Sequence, residues 1–95
     1  MPRAEMLNVL NLQPQRPTRE ALLAMFCVTA TEVVERDFHH VKESMSIEEL
    51  VIDSLGMLEI IGSLERQLRI RISDESFAGL HTIRDLLDVV ESRLE

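Results

Sequence analysis

The sequence predicts an all-α bundle, with three longer helices, one short helix and a long first connection. Three observations predict it. Apolar residues recur at three- and four-residue spacing in three separate stretches. A Ser, Thr or Asp that can cap a helix stands ahead of each stretch. The longest apolar–polar alternation is the short step Arg69-Ile70-Arg71-Ile72, which supports no strand. With 95 residues the chain suits one small domain. It has no Trp or Tyr and only 3 Phe, so its core must be built from Leu, Ile, Val and Met.

Residues 1–17 read as an N-terminal extension, punctuated by Pro2, Pro14 and Pro17. Met6, Leu7 and Leu10 can share one face of a short helix, marginal alone, so the segment either packs on the domain or is disordered. The domain proper is placed at 18–95. Thr18 is expected to cap a helix over roughly 19–37, with Leu22, Met25, Phe26, Val33 and Phe38 as its stripe, widened by Leu23, Ala30 and Val34. Residues 39–53 form a connection whose length points to function. In it, Ser46-Ile47-Glu48-Glu49 has the form of a capping box, predicting a helical turn near 47–51. Met45, Ile47, Leu50 and Ile52 are expected to pin this connection to the core.

The strongest helical period is Leu55, Leu58, Ile61, Leu64 and Leu68, predicting a helix over roughly 54–69 with Asp53 or Ser54 as its cap. Ile60 and Ile61 are neighbours, so only one is expected in the core; the other lines a cleft toward the short helix, with small Gly62 and Ser63 leaving room, or simply packs closely. Ser73, with Asp74 and Glu75 behind it, starts the short helix, which ends near Gly79. Thr82 caps the last helix with Asp85 at N3, and Ile83, Leu86, Leu87, Val90 and Leu94 form its apolar face.

The formal net charge is −7, which disfavours nucleic acid and anionic lipid as partners and favours basic patches on proteins. No stretch approaches the roughly 20 apolar residues of a membrane span, and no signal peptide is read at the N-terminus. The one cysteine, Cys27, excludes an internal disulfide, fits a reducing cytoplasm and is expected to be a buried, inert thiol. His39 and His40 are adjacent and His81 is isolated, so no metal site is expected. No acid–base constellation suggests an enzyme. A monomer is the default.

The informative segment is Val51-Ile52-Asp53-Ser54-Leu55-Gly56-Met57-Leu58-Glu59. It places a serine at the start of an amphipathic helix, where unpaired N–H groups and partial positive charge would favour a phosphodiester on the hydroxyl. The simpler role for such a serine is an N-cap. Asp53-Ser54-Leu55 in phase with its helix, Glu59, the period Leu58/Ile61/Leu64/Leu68, the Ile70/Ile72 step, Ser73-Asp74-Glu75 and Thr82-Ile83-Arg84-Asp85-Leu86 together resemble the acyl carrier protein family, over roughly residues 19–94.

The resemblance implies an acyl-carrier-type four-helix fold and a carrier rather than an enzyme. Ser54 would be the attachment site of 4′-phosphopantetheine, transferred from coenzyme A by a magnesium-dependent phosphopantetheinyl transferase. The thiol of that arm would hold an acyl or aminoacyl group as a thioester. Partners would be a loading ligase and the synthase or transferase enzymes of fatty-acid, polyketide or related biosynthesis, contacted through Asp53, Leu55, Met57 and Glu59. Departures from the family pattern are Gly56 in place of an acid, Arg66 within the acidic stretch and Val51 in place of a glycine. Asp-Ser-Leu-Gly is similar to D-alanyl and other stand-alone specialised carriers, which favours a discrete specialised carrier. The competing expectation is a non-carrier adaptor that retained the fold.

Overall fold

The computed structural model describes residues 17–94. The expectations for the N-terminal extension, including Met6, Leu7 and Leu10, lie outside the described residues except at Pro17. Among the described residues there are four α-helices: α1, Arg19–Val34; α2, Ser54–Leu68; α3, Asp74–Ala78; and α4, Ile83–Arg93. This is the expected bundle, with a single isolated bridge, Ser46 to Thr82, as its only extended pairing among the described residues.

α1 starts where Thr18 Oγ1 accepts the Ala21 N–H at 3.1 Å. It stops three residues earlier than the periodicity predicts, because Glu35 turns left-handed (φ 60°) and its N–H closes onto Thr31 O. Phe38 is therefore not part of the helical stripe; it reaches the core from the connection, at 8% exposure. Arg36 fastens the turn by donating to the carbonyls of Leu50 (2.6 Å) and Val51 (3.0 Å), with its guanidinium 5.0 Å from the Phe38 ring centre.

The long connection is held at both ends of its capping box. Glu49 N–H donates to Ser46 Oγ and Ser46 N–H to Glu49 Oε2, at 3.1 and 2.7 Å, ahead of a single 3-10 turn at Glu48–Leu50. Backbone bonds from Ile47 N to His81 O, Ile83 N to Met45 O and Arg84 N to Glu43 O staple it to the start of α4. Leu50 is buried, and Met45, Ile47 and Ile52 pack against the core as expected.

α2 carries the main correction. Its buried residues are Met57, Ile60, Ile61 and Leu64, whereas Leu55 and Leu58 are 65% and 51% exposed. A three-residue step falls short of a helical turn by about 60°, so a row such as 55, 58, 61, 64 walks around the helix. The row 57, 61, 64, 68 does not. Ile60 and Ile61 are both buried, against expectation, because the buried arc is wide enough to hold neighbours 100° apart. A single core joins Leu22, Phe26 and Ala30 of α1 to these residues and to Ile83, Leu86, Leu87 and Val90 of α4. Its buried polar residue, Thr29, accepts a hydrogen bond from Gln67 at 3.1 Å.

After α2, Ile70 and Ile72 are half-buried and Arg69 and Arg71 exposed. Glu65 Oε2 accepts the Ile72 N–H at 2.8 Å and fixes this step. Ser73 caps α3, and Thr82 with Asp85 forms a complete capping box on α4.

Candidate functional site

Ser54 is the first residue of α2 and is exposed. The capping role falls to Asp53, whose Oδ1 accepts the Gly56 N–H at 2.7 Å. This division of labour leaves the Ser54 hydroxyl available at a positive helix end rather than spent on its own backbone. Ser54 borders an apolar groove of about 240 Å³, lined by Ile47, Ile52, Met57, Phe77, Ala78 and Leu80. A hollow of about 310 Å³ on the other side of the helix start is lined by Val33, Val34, Val51, Ile52, Asp53, Leu55, Gly56 and Glu59. Gly56 is tied to this geometry: a Cβ there would stand 3.0 Å from Ile52 Cγ2 and 3.1 Å from the capping Asp53 Oδ1. The larger groove, about 520 Å³, lies at the far end of α2 and has no nucleophile in its lining.

Of the expected partner-facing residues, Asp53, Leu55 and Glu59 are exposed around Ser54. Met57 is not. It is 5% exposed, and it forms the floor of the Ser54 groove instead of its outer rim. The reason is its place on the constant-facing row of α2, which the leucine spacing disguised. A cleft toward the short helix exists, but neither Ile60 nor Ile61 lines it, and Gly62 and Ser63 do not either; Gly62 belongs to the distant 520 Å³ groove. Phe77, Ala78 and Leu80 went unrecognised as groove residues. The only sequence signal for them was an apolar cluster next to the Ser73 cap, since a helix of five residues is too short to display a period.

Cys27 is half-buried, and burial pushes its thiol pKa up. His39, His40 and His81 are exposed; the rings of His39 and His40 lie edge to face at 6.3 Å between centroids. No group of three or more His, Cys, Asp or Glu able to hold a metal occurs among the described residues. No described helix is long and apolar enough to cross a membrane.

Residues 21–90 match the family model described as phosphopantetheine attachment site. An acyl carrier protein of Clostridium perfringens is 36% identical over 53 residues, covering 56% of this chain and 70% of the relative. This chain belongs to the acyl carrier protein family. A second carrier, from Helicobacter hepaticus, is 36% identical over 62 residues, covering 64% of this chain and 82% of its own. The crystal structure of an acyl carrier protein from Thermotoga maritima superimposes with a TM-score of 0.75 at 29% identity, over 79% of this chain and 88% of that one.

Acyl carrier proteins hold covalently attached 4′-phosphopantetheine, and they are carriers rather than catalysts. They are modified by phosphopantetheinyl transferase and work with synthases and transferases. The residues present in this carrier suit the group. An exposed hydroxyl stands at a helix N-terminus, and an apolar groove opens beside it.

Proposed function

We propose that Ser54 is the residue that takes the phosphopantetheine arm, and that the chain is a discrete specialised carrier of acyl or aminoacyl groups. One observation supports this above the others. Ser54 is exposed at the start of α2 with its cap supplied by Asp53, so the hydroxyl is not needed to hold the helix.

In the transfer, Ser54 Oγ attacks the coenzyme A phosphorus that bears the pantetheine. The Oγ–P bond forms, the pyrophosphate bridge breaks, and adenosine 3′,5′-bisphosphate leaves. The serine proton passes to a base on the transferase. The unpaired N–H groups of the first turn of α2 and the helix dipole then favour the phosphodiester. The arm, when bound, supplies a terminal thiol that holds cargo as a thioester. Ile47, Ile52, Met57, Phe77, Ala78 and Leu80 offer apolar shelter beside its root. Asp53, Leu55 and Glu59 form the rim an incoming enzyme meets. Loading ligases, synthases and transferases of fatty-acid, polyketide or aminoacyl chemistry are the proposed partners, and the cytoplasm the proposed location.

The test is intact mass before and after incubation with coenzyme A, magnesium and a broad-specificity phosphopantetheinyl transferase. The parent gains one phosphopantetheinyl group and Ser54→Ala gains none, while both keep the same helical circular dichroism. Modification of the Ala variant, or none on a folded, unmodified parent, would remove Ser54 from this role. A folded domain that resists all transferases yet still binds its partner after Ser54→Ala would be an adaptor.

A further inference from the structure

The largest groove among those described carries the opposite charge from the rest of the protein. It is lined by Gly62, Glu65, Arg66, Arg69, Ile70 and Arg71 and has a volume of about 520 Å³. Three of the 10 basic residues of a chain with net charge −7 thus meet at one place. All three arginines are exposed, and among the described residues none of their guanidinium groups has an ion-pair or hydrogen-bond partner. Arg19 and Arg84, by contrast, pair with acids, and Arg36 donates to backbone carbonyls. The acid in the lining, Glu65, is turned to the Ile72 N–H at 2.8 Å.

The C-terminal dipole of α2 accounts for a cation in its last turn, Arg66. It does not account for Arg71, which lies beyond the helix. Arg69 sits at φ 58°, a left-handed cap that glycine fills with less backbone strain. What arginine adds there is a guanidinium at the groove.

We propose that this groove is a second docking surface, separate from the Ser54 end, for a short carboxylate-rich segment of a partner protein. Arginine forks suit carboxylates in pairs. The floor of Gly62 and Ile70 is apolar and open, so the fitting segment has an apolar residue flanked by acids. Gly62 stands against the guanidinium of Arg66: a Cβ there would lie 3.5 Å from Arg66 Nη1. Long polyanions such as nucleic acid, or an anionic bilayer, would meet the net negative charge of the whole chain, whereas a short segment meets only the groove. The surface lies about 20 Å along α2 from Ser54, by helical rise. A partner held there can leave the serine accessible. The inference does not rest on the assignment of Ser54.

The experiment is an amide-resolved NMR titration of the full chain with a blocked Asp-Glu-Leu-Glu-Asp peptide, beside its Asn-Gln-Leu-Gln-Asn counterpart. Expected are shifts centred on Gly62, Arg66 and Arg69 to Arg71, no saturation by the neutral peptide, and weaker binding as salt rises from low to physiological strength. The variant Arg66→Gln/Arg69→Asn/Arg71→Gln, in which Asn keeps the left-handed cap, should bind at least tenfold more weakly. Should that variant lose helical structure, Arg71→Gln alone, outside the helices, should weaken binding about threefold. Shifts elsewhere, no shifts, or equal binding of both peptides would overturn the proposal. So would tighter binding of inorganic pyrophosphate than of the acidic peptide at the same residues, which would make the groove a phosphate site.

Discussion

Arg19 Nη1 donates to Glu91 Oε1 at 2.7 Å, joining the first turn of α1 to the last turns of α4 across 72 positions of sequence. The same guanidinium reaches Asp88 and Glu43, and donates to Arg84 O. Its pKa is pushed further up by the Glu43 hydrogen bond foremost, so it stays charged at any relevant pH. One side chain thus ties α1, the long connection and α4 together. Charge-assisted bonds contribute about 1.5–3 kcal/mol, and the partial exposure of this cluster discounts that figure. Arg19→Ala should therefore lower unfolding free energy in urea by about 1–2 kcal/mol, with a smaller loss in 1 M salt. A loss unchanged by salt would assign the effect to packing of the stem instead.

Asp85 gives the fold an acid limit. Its carboxylate accepts the N–H groups of Thr82 and His81, each at 3.0 Å, and these hold its pKa below the usual carboxylate range. Because the folded value lies below the unfolded value of about 3.9, the stabilisation is complete above that pH and is lost as pH falls through the folded value. Asp85→Asn should be less stable at neutral pH, with a shallower fall in stability below about pH 4. Parallel pH profiles for parent and variant would rule this out.

Val51 is 76% exposed and stands at φ 54°, ψ 48°, a conformation that a β-branched residue adopts only with strain. Val51→Gly removes that strain while giving up little buried surface. Against this stands the greater entropy glycine loses on folding. The expected net gain is about 0.5–1 kcal/mol by denaturant unfolding. A loss of stability would mean that the Val51 side chain packs more than its exposure indicates.

The two glycines of α2 should respond differently to the same change. At Gly62 a Cβ meets only the flexible end of Arg66, so Gly62→Ala should stabilise by about 0.5–1 kcal/mol through helix propensity. At Gly56 the same methyl crowds Ile52 and the capping carboxylate of Asp53. Gly56→Ala should thus gain less than Gly62→Ala, and slow phosphopantetheine transfer by disturbing the start of α2. Equal gains in thermal unfolding would show the crowding to be inconsequential.

Leu55 and Met57 separate recognition from folding. Leu55→Asp, at an exposed position, should change stability by no more than about 0.5 kcal/mol. It should slow modification about tenfold, worth roughly 1.4 kcal/mol at an enzyme interface. Met57→Ala, at a buried one, should cost about 2–5 kcal/mol of stability. Transferase kinetics and urea unfolding on the same two variants check both halves.

Local chemistry alone determined the number and order of the helices, their caps at Thr18, Ser73 and Thr82, and a serine at the start of α2; that Asp53 and not Ser54 caps α2 was decided by the structure. Capping and helical period are properties of a few neighbouring residues, so they can be read without knowing the fold. The pattern Asp53-Ser54-Leu55 in phase with its helix was legible for the same reason. Tertiary structure decided the rest. It set which apolar row of α2 became core, burying Met57, Ile60 and Ile61 and leaving Leu55 and Leu58 outside. Residues 61, 64 and 68 belong to both rows, and only the helices packed against α2 choose between them. It also set that Phe77, Ala78 and Leu80 close a groove beside Ser54, that Arg19 gathers three acids, and that Arg66, Arg69 and Arg71 face one hollow. The chain also turns left-handed at Glu35, Val51 and Arg69. Those left-handed turns fall on residues with no strong preference for them, so the packed core, not the local sequence, holds them in place.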